Sequence, residues 1–285
     1  MKDFRGRVAA ITGAGSGIGR ALAEELGRRG AHLALSDIDA GGLAATVSLC
    51  ERTGARVTSD HLDVADRQAV YDWADAVVSS HGQVNLVFNN AGVALGSTVA
   101  SMSYEDMEWL MAIDFWGVVY GTKAFLPHLE ASGEGHIVNM SSIFGLVSVP
   151  SQSAYNAAKF AVRGFTDALR MELEMAGSPV SCTTVHPGGV KTNIARRARI
   201  DESIAAYGAG AEQVRSSFDR LLLTSPARAA RQILSAVEHD RRRVLVGPDA
   251  KVVDLVARLP ASLYQGIIVS GSRRIRPRRA DSSAG

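Results

Sequence analysis

The chain of 285 residues is 46% hydrophobic and 21% charged, which excludes the disordered and fibrous classes and allows one large domain or two small ones. Its 31 basic and 29 acidic residues give a net charge of +2, so no overall field draws it to nucleic acid or to a membrane surface. Two cysteines far apart, Cys50 and Cys182, exclude a disulfide framework and a zinc site and fit a reducing interior.

From the N-terminus, the one apolar run before the first glycines is Val8 to Thr12, too short for the core of a signal peptide. No later stretch has the length of a spanning helix, so a cytoplasmic protein without an integral membrane segment is expected. Short runs rich in β-branched residues recur at Val8 to Thr12, Leu33 to Ser36, Val84 to Phe88, His136 to Met140, Val180 to Val185 and Val244 to Val246. Between them lie segments of helical period, among them Ala21 to Arg29, Gln68 to Ser80 and Ala154 to Met175. Strands that are apolar without alternation are buried on both faces, and connections long enough for a helix make successive strands parallel. The alternation predicts a doubly wound α/β domain over 1–248. Ser103 with Asp106, and Ser225 before Pro226, mark helix starts. Lys191 to Leu223, polar and arginine-rich, breaks the rhythm and is a candidate lid over about 191–223. Residues 249–285 are read as a C-terminal helix and a basic tail expected to be disordered. The apolar positions of Val252 to Ile268 fit an amphipathic helix, packed on the domain or a partner subunit or, as the alternative, laid on a membrane surface; RRIRPRR from Arg273 to Arg279 reads as a solvated terminus, with contact to anionic lipid or nucleic acid as its alternative.

Thr12-Gly13-Ala14-Gly15-Ser16-Gly17-Ile18-Gly19 links the first strand to the first helix. Glycines let backbone N–H groups approach a pyrophosphate, and the helix N-terminus adds partial positive charge. The spacing is T-G-x-x-x-G-x-G through Gly13, Gly17 and Gly19 rather than G-x-G-x-x-G. The second strand ends at Asp37, where a carboxylate can accept both adenosine ribose hydroxyls and repel a 2′-phosphate. Neither Ser16 nor Ile38 supplies an arginine there, so NAD is favoured over NADP.

Tyr155 and Lys159 stand one helical turn apart and share a face. A phenol titrates near 10, and each unit of depression requires about 1.4 kcal/mol of differential stabilisation. Lys159 supplies part of it and a cationic nicotinamide more, which makes Tyr155 a general base or acid for an alcohol or ketone. Ser141 and Ser142 follow the strand His136 to Met140, at the carboxyl edge where such sheets bind ligands. One of the pair can hydrogen-bond a substrate oxygen as it gains charge; Ser141 is read as capping the strand end.

With the glycine loop, Asn89-Asn90-Ala91-Gly92, Ser142, Tyr155-x-x-x-Lys159 and Pro187-Gly188 in this order, the sequence resembles the short-chain dehydrogenase/reductase family from about Arg5 to Val246. The resemblance implies a single Rossmann-type domain with a mostly parallel seven-stranded sheet, assembled as a homodimer or homotetramer through helices near Glu105 to Leu129 and Ala154 to Met175. It implies Tyr155 as general acid/base, Lys159 as modulator of Tyr155 and ribose ligand, and Ser142 as the group orienting the carbonyl. The loop Gly13, Ser16, Gly17, Ile18 and Gly19 with Asp37 would hold NAD. Asp63 and Val64 would flank adenine, Asn90, Ala91 and Gly92 would support the cofactor, and Pro187, Gly188, Val190 and Thr192 would line the nicotinamide side. Where the family has asparagine holding a water beside the lysine, this chain has Asp114. Its carboxylate preserves the relay if the backbone holds that water, and weakens it if an amide donor is needed.

The expected substrate is a small hydrophobic secondary alcohol or ketone, contacted by Ser142, Phe144, Val149, Tyr155, Ile194 and Tyr207, although Phe144 and Val149 serve equally as packing residues. Two alternatives stay open. One is an NADPH-dependent ketoreductase whose Arg196, Arg197 and Arg199 attract an acidic acyl carrier; the other is a non-catalytic NAD-binding regulator.

Overall fold

The computed structural model describes residues 1–207 and 222–275, with side chains described for 1–204 and 222–270. The first strand, β1 (Val8–Thr12), is buried at every position. Ala9 and Ile11 pack on one side of the sheet with Leu22 and Leu26 of α1 (Gly17–Arg28) and with Ile233, Leu234 and Val237 of the helix Pro226–Glu238. Val8 and Ala10 pack on the other, in the layer of Trp73, Val77, Phe125, Leu129, Leu169 and Leu173. Two-sided burial is why the strand shows no polar alternation.

The chain continues through β2 (His32–Asp37), α2 (Ala40–Glu51), β3 (Val57–His61), α3 (Arg67–His81), β4 (Leu86–Asn89) and the short β5 (Leu95–Gly96). Next come α4 (Tyr104–Met111), a π-helical turn Ala112–Trp116, α5 (Gly117–Ala131), β6 (Gly135–Met140), α6 (Ser153–Met175), β7 (Val180–Pro187) and β8 (Arg199–Ile200). The described chain ends with α7 (Pro226–Glu238), β9 (Arg243–Val246), α8 (Pro248–Val256) and α9 (Ala261–Ile275). Seven strands form one sheet in the order β3-β2-β1-β4-β6-β7-β9, and every pairing is parallel. The order reverses between β1 and β4, which opens a crevice at their carboxyl ends.

The seventh strand, β3, is the one the apolar pattern does not reveal. It is an edge strand of sequence VTSDH with no position buried, so it carries no hydrophobic run. The two helix starts are capped as their sequences indicate: Ser103 Oγ accepts from Asp106 N at 3.0 Å, and Ser225 Oγ from Arg228 N at 3.3 Å. The first part of the candidate lid contains β8, paired with β5, and a 3-10 helix at Glu202–Tyr207; residues 208–221 lie outside the described residues.

Within the single chain Leu263, Ile267 and Val269 of α9 are exposed, as are Val252 and Leu255 of α8, whose inward face carries Ala250 and Asp254. Arg276 to Gly285, with most of the basic tail, lie outside the described residues.

Phe125 is fully buried and meets Trp73 edge-on at 5.1 Å between centroids, joining α5 to α3. Phe125→Ala is expected to destabilise the fold by about 3–5 kcal/mol, read as a lower denaturant midpoint at unchanged slope.

Candidate active site

The crevice at the strand-order reversal begins where β1 ends. Gly13 and Gly17 hold φ of +65° and +56°, a region that L side chains rarely adopt. A Cβ on Gly13 would stand 2.8 Å from Ala91 Cα, and one on Gly17 3.0 Å from the Thr192 side chain. Ser16, at the N-cap of α1, makes no side-chain cap, so its hydroxyl leaves the first-turn N–H groups to a ligand. Gly19 packs so closely on the Gly13 carbonyl and Asn90 that a side chain there would displace the loop. These features fit a dinucleotide pyrophosphate: a glycine cradle that a Cβ would fill, beside an uncapped helix N-terminus.

Neighbouring residues fix that loop. Asn90 Nδ2 donates to the Thr12 carbonyl at 2.9 Å, and Thr12 Oγ1 accepts from the Asn90 and Ala91 backbone N–H groups at 3.0 Å each. Thr12 therefore clamps β1 to the segment after β4, a role the sequence motif does not announce. Asp37 Oδ2 accepts from Gly15 N at 2.7 Å and Oδ1 from Asp39 N at 2.8 Å, so the carboxylate stands at the loop's edge. Two arginines that sequence reading did not place here are close by. Arg20 donates to the carbonyls of Gly15 and Gly42 beneath the loop, and Arg197 pairs with Asp39 at 2.9 Å. Leu62 N donates to the Asp37 carbonyl, which aligns the end of β3 with that of β2; Asp63 closes a turn on Ala65 N, and Val64 is buried against Gly117.

On the far side, β7 runs into Pro187 and Gly188, whose N–H donates to the Val246 carbonyl at 2.9 Å. Asp249, at the start of α8, accepts from Gly189 N at 2.5 Å, and a Cβ on Gly188 would strike its carboxylate. Val190 is buried and bridges Thr224, which brings Thr192 across from Gly17.

Between these walls lies a cluster of polar side chains. The π-helical turn presents Asp114, fully buried, with Oδ1 accepting from Val93 N at 2.7 Å and Oδ2 3.0 Å from Lys159 Nζ. Gly92 leaves room for the pair. Lys159 Nζ also donates to the Met140 carbonyl at 3.2 Å and lies 5.4 Å from the Tyr155 ring centroid. Phe144 meets the Tyr155 ring edge-on at 6.0 Å, and Ser142 stands near enough to the phenol to pull its pKa down. The Asp114 carboxylate binds the lysine directly and favours its protonated form.

Burial pushes Asp114 above the usual carboxylate range, against the pull of Lys159 and the Val93 N–H. Burial acts to lower Lys159, but Asp114 and Tyr155 outweigh it and hold the ammonium above its ordinary value. Tyr155 is also raised. Burial dominates, Lys159 and Ser142 pull it down, and Asp114 pushes it up. The expectation that Lys159 depresses Tyr155 is correct in sign but loses to burial and to the carboxylate.

Sequence reading missed His186. Its Nδ1 lies 2.9 Å from the Ser142 carbonyl, and burial pushes its pKa down to about 4, so the neutral ring donates Nδ1–H and fixes the residue that carries the Ser142 hydroxyl. The available signal was a histidine directly before Pro187-Gly188. Ser141 does more than cap its strand, because its hydroxyl donates to the Lys159 carbonyl at 2.8 Å and ties β6 to α6. Of the four apolar residues expected at the substrate, Phe144 touches Tyr155 and Ile194 is exposed in the turn after Thr192. Val149 lines a cleft of about 700 Å³ with Pro150, Asn156 and Phe160, which Ser142, Tyr155 and Lys159 do not line. The side chain of Tyr207 lies outside the described residues.

A doubly wound parallel sheet with a phosphate cradle at its strand-order reversal, and a tyrosine, lysine and serine beside it, defines a dinucleotide-binding oxidoreductase. The short chain dehydrogenase family model matches residues 7–203, and the chain belongs to that family. It is 54% identical over 278 residues to a putative oxidoreductase, SadH, of Mycobacterium tuberculosis, covering 97% of this chain and 99% of the relative. A short-chain dehydrogenase/reductase from Burkholderia phymatum, solved in complex with NAD, superposes with a TM-score of 0.83 at 32% identity, covering all of both chains. A second, from Mycobacterium paratuberculosis bound to NAD, gives 0.70 at 26% identity over 81% of this chain and 91% of that one.

His186 and His136, the latter pushed down to about 3 by burial, stay neutral in the fold but protonate near 6.5 once unfolded. The unfolded state therefore binds more protons below that value, and each histidine removes about 1.4 kcal/mol of stability per pH unit from pH 6.5 down towards its folded value. Urea midpoints should fall from pH 7 to pH 5, and His136→Asn should flatten that slope.

Proposed function

We propose that the chain transfers hydride between NAD(H) and a hydrophobic secondary alcohol or ketone. The observation that carries this reading is the convergence of Ser142, Tyr155 and Lys159 beside the glycine cradle. Gly13, Ser16, Gly17, Ile18 and Gly19 would hold the pyrophosphate and Asp37 the adenosine ribose. Asp63 and Val64 would flank the adenine, and Asn90, Ala91 and Gly92 would floor the cleft. Tyr155 and Lys159 would take the nicotinamide ribose, and Pro187, Gly188, Val190 and Thr192 would line the nicotinamide. When bound, the cofactor takes up or delivers the hydride. In oxidation Tyr155 accepts the alcohol hydroxyl proton while Ser142 hydrogen-bonds the same oxygen; in reduction Tyr155 returns that proton to the carbonyl oxygen. Lys159, held protonated, favours the tyrosinate, and Asp114 cancels part of its field.

Asp37 supports NAD over NADP, because its carboxylate repels a 2′-phosphate. Arg197 is engaged by Asp39, and Arg199 pairs with Asp106 at 2.8 Å while stacking on Trp109, so neither supports docking of an acidic acyl carrier. Assembly as a dimer or tetramer through α4, α5 and α6 is supported by two large exposed side chains, Trp116 on the π-turn before α5 and Phe160 on α6. Buried Cys50 and Cys182, whose thiols burial raises to about 11 and about 12, fit a cytoplasmic setting.

Titration with NADH and NADPH, followed by a panel of hydrophobic ketones monitored by nicotinamide absorbance, tests the reading. NADH preference is expected, with turnover falling by about two to four orders of magnitude in Tyr155→Phe. Preference for NADPH overturns the role given to Asp37, and tight NADH binding without turnover on any ketone indicates a regulator.

Asp114→Asn removes the negative charge that raises Tyr155. The pH at which kcat/KM for alcohol oxidation reaches half its plateau should fall by about one unit. A profile that keeps its midpoint shows that Asp114 only positions the lysine.

A further inference from the structure

The segment that follows Pro187 and Gly188 spans the crevice from wall to wall. Its start is fixed beside β7, where Lys191 N–H donates to the Thr224 carbonyl at 2.9 Å. Its far end is fixed beyond β4, where Arg199 N–H donates to the Ala94 carbonyl while the Arg199 side chain pairs with Asp106 and lies over the Trp109 ring. Between these anchors Thr192 comes against Gly17 of the glycine cradle. A turn closed by Arg197 N–H on the Asn193 carbonyl at 2.9 Å then brings the Arg197 guanidinium to Asp39 at 2.9 Å.

Asp39 belongs to the opposite wall, in the connection from β2 to α2. Its N–H donates to Asp37 Oδ1 at 2.8 Å, and its own Oδ1 accepts from Gly42 N at 3.0 Å as the N-cap of α2. The Gly42 N–H, and after it Arg197, hold this carboxyl below the ordinary carboxylate range, so it is charged at neutral pH. One oxygen is thus committed to its own helix, and the other meets a guanidinium from across the crevice. At 61% and 34% exposed, the pair contributes little to the fold. A weak tie between two parts that are each anchored elsewhere opens readily, which is what exchange of a bound ligand requires.

We propose that Asp39 and Arg197 form a latch that closes the segment from Thr192 to Arg197 over the adenosine half of bound NAD(H) and sets the rate at which the cofactor leaves. With its pyrophosphate on the glycine cradle and its ribose on Asp37, the dinucleotide lies inside this contact, because the segment passes Gly17 at Thr192 and reaches the neighbour of Asp37 at Arg197. The latch rests on the reading of the crevice as a dinucleotide site and is independent of the alcohol or ketone.

Stopped-flow displacement of NADH from the full chain by excess NAD, followed by nicotinamide fluorescence, tests the latch. Arg197→Gln and Asp39→Asn each remove one charge at similar size, and asparagine caps a helix as well as aspartate does. Each should speed NADH release by up to about fivefold, the range open to an exposed ion pair. The double variant should release NADH no faster than the single ones, and raising salt from about 0.1 M to 0.5 M should speed the parent more than the double variant. Asp39→Asn separates a latch from a plain field effect, because removing a carboxylate near an anionic cofactor would by itself slow release. Unchanged or slower release from Asp39→Asn overturns the latch, as do single effects that multiply in the double variant. A parent that binds no NADH overturns the dinucleotide reading itself, and the latch with it.

Discussion

A lysine ammonium and a carboxylate 3.0 Å apart in the interior organise this molecule's crevice. Taking two charges out of water costs several kcal/mol each, and their attraction offsets this only when the remaining valences are also satisfied. Here Val93 N–H satisfies one oxygen of Asp114 and the Met140 carbonyl takes a second proton of Lys159. One pair thereby binds the segment after β4, the π-turn between α4 and α5, the end of β6 and the start of α6. These are the pieces that must hold still if Tyr155 and Ser142 are to meet a single oxygen atom. The π-turn is part of the same device, because an extra residue per turn redirects side chains that a regular helix would aim elsewhere.

Much of this architecture was legible in residue pattern, and the parts that were not share a cause. Strands buried on both faces write themselves as apolar runs, so β1, β2, β4, β6 and β7 could be read; of the two half-wet edge strands, β9 keeps the apolar run Val244-Leu245-Val246, whereas β3, VTSDH, has none. Tyr155 and Lys159 share a helix, so their juxtaposition follows from spacing; the strand end gives an address to Ser141 and Ser142 together, and the family resemblance is what singles out Ser142. Thr12, Arg20, His186 and Asp249 act on backbone groups far away in sequence. Nothing in their own neighbourhoods records that the Asn90, Gly42, Ser142 or Gly189 main chain would arrive beside them. Asp114 was visible as an anomaly, but its direct pairing with Lys159 depends on a helical irregularity that no local preference announces.

The same long-range economy links the crevice to the C-terminal helices. Asp249 steadies Gly189 from the first turn of α8, and the next turns of that helix carry Val252 and Leu255 into solvent. The loop that follows Pro187 and the exposed apolar surface are thus joined by about two turns of rigid helix.

Both margins of the segment between Ile200 and Thr224 are fastened to the body. Arg199 and Asp201 donate their N–H groups to the carbonyls of Ala94 and Gly96, while Lys191 N–H donates to the Thr224 carbonyl and Thr224 N–H to the Gly189 carbonyl, on either side of Val190. Once the anchor points of a loop are fixed, doubling the length between them adds only about 0.6 kcal/mol of closure entropy. Evolution can therefore treat the intervening stretch as an interchangeable cassette. Descendants of this scaffold are free to acquire new selectivity by insertion or exchange there, while inheriting the proton-transfer chemistry unchanged.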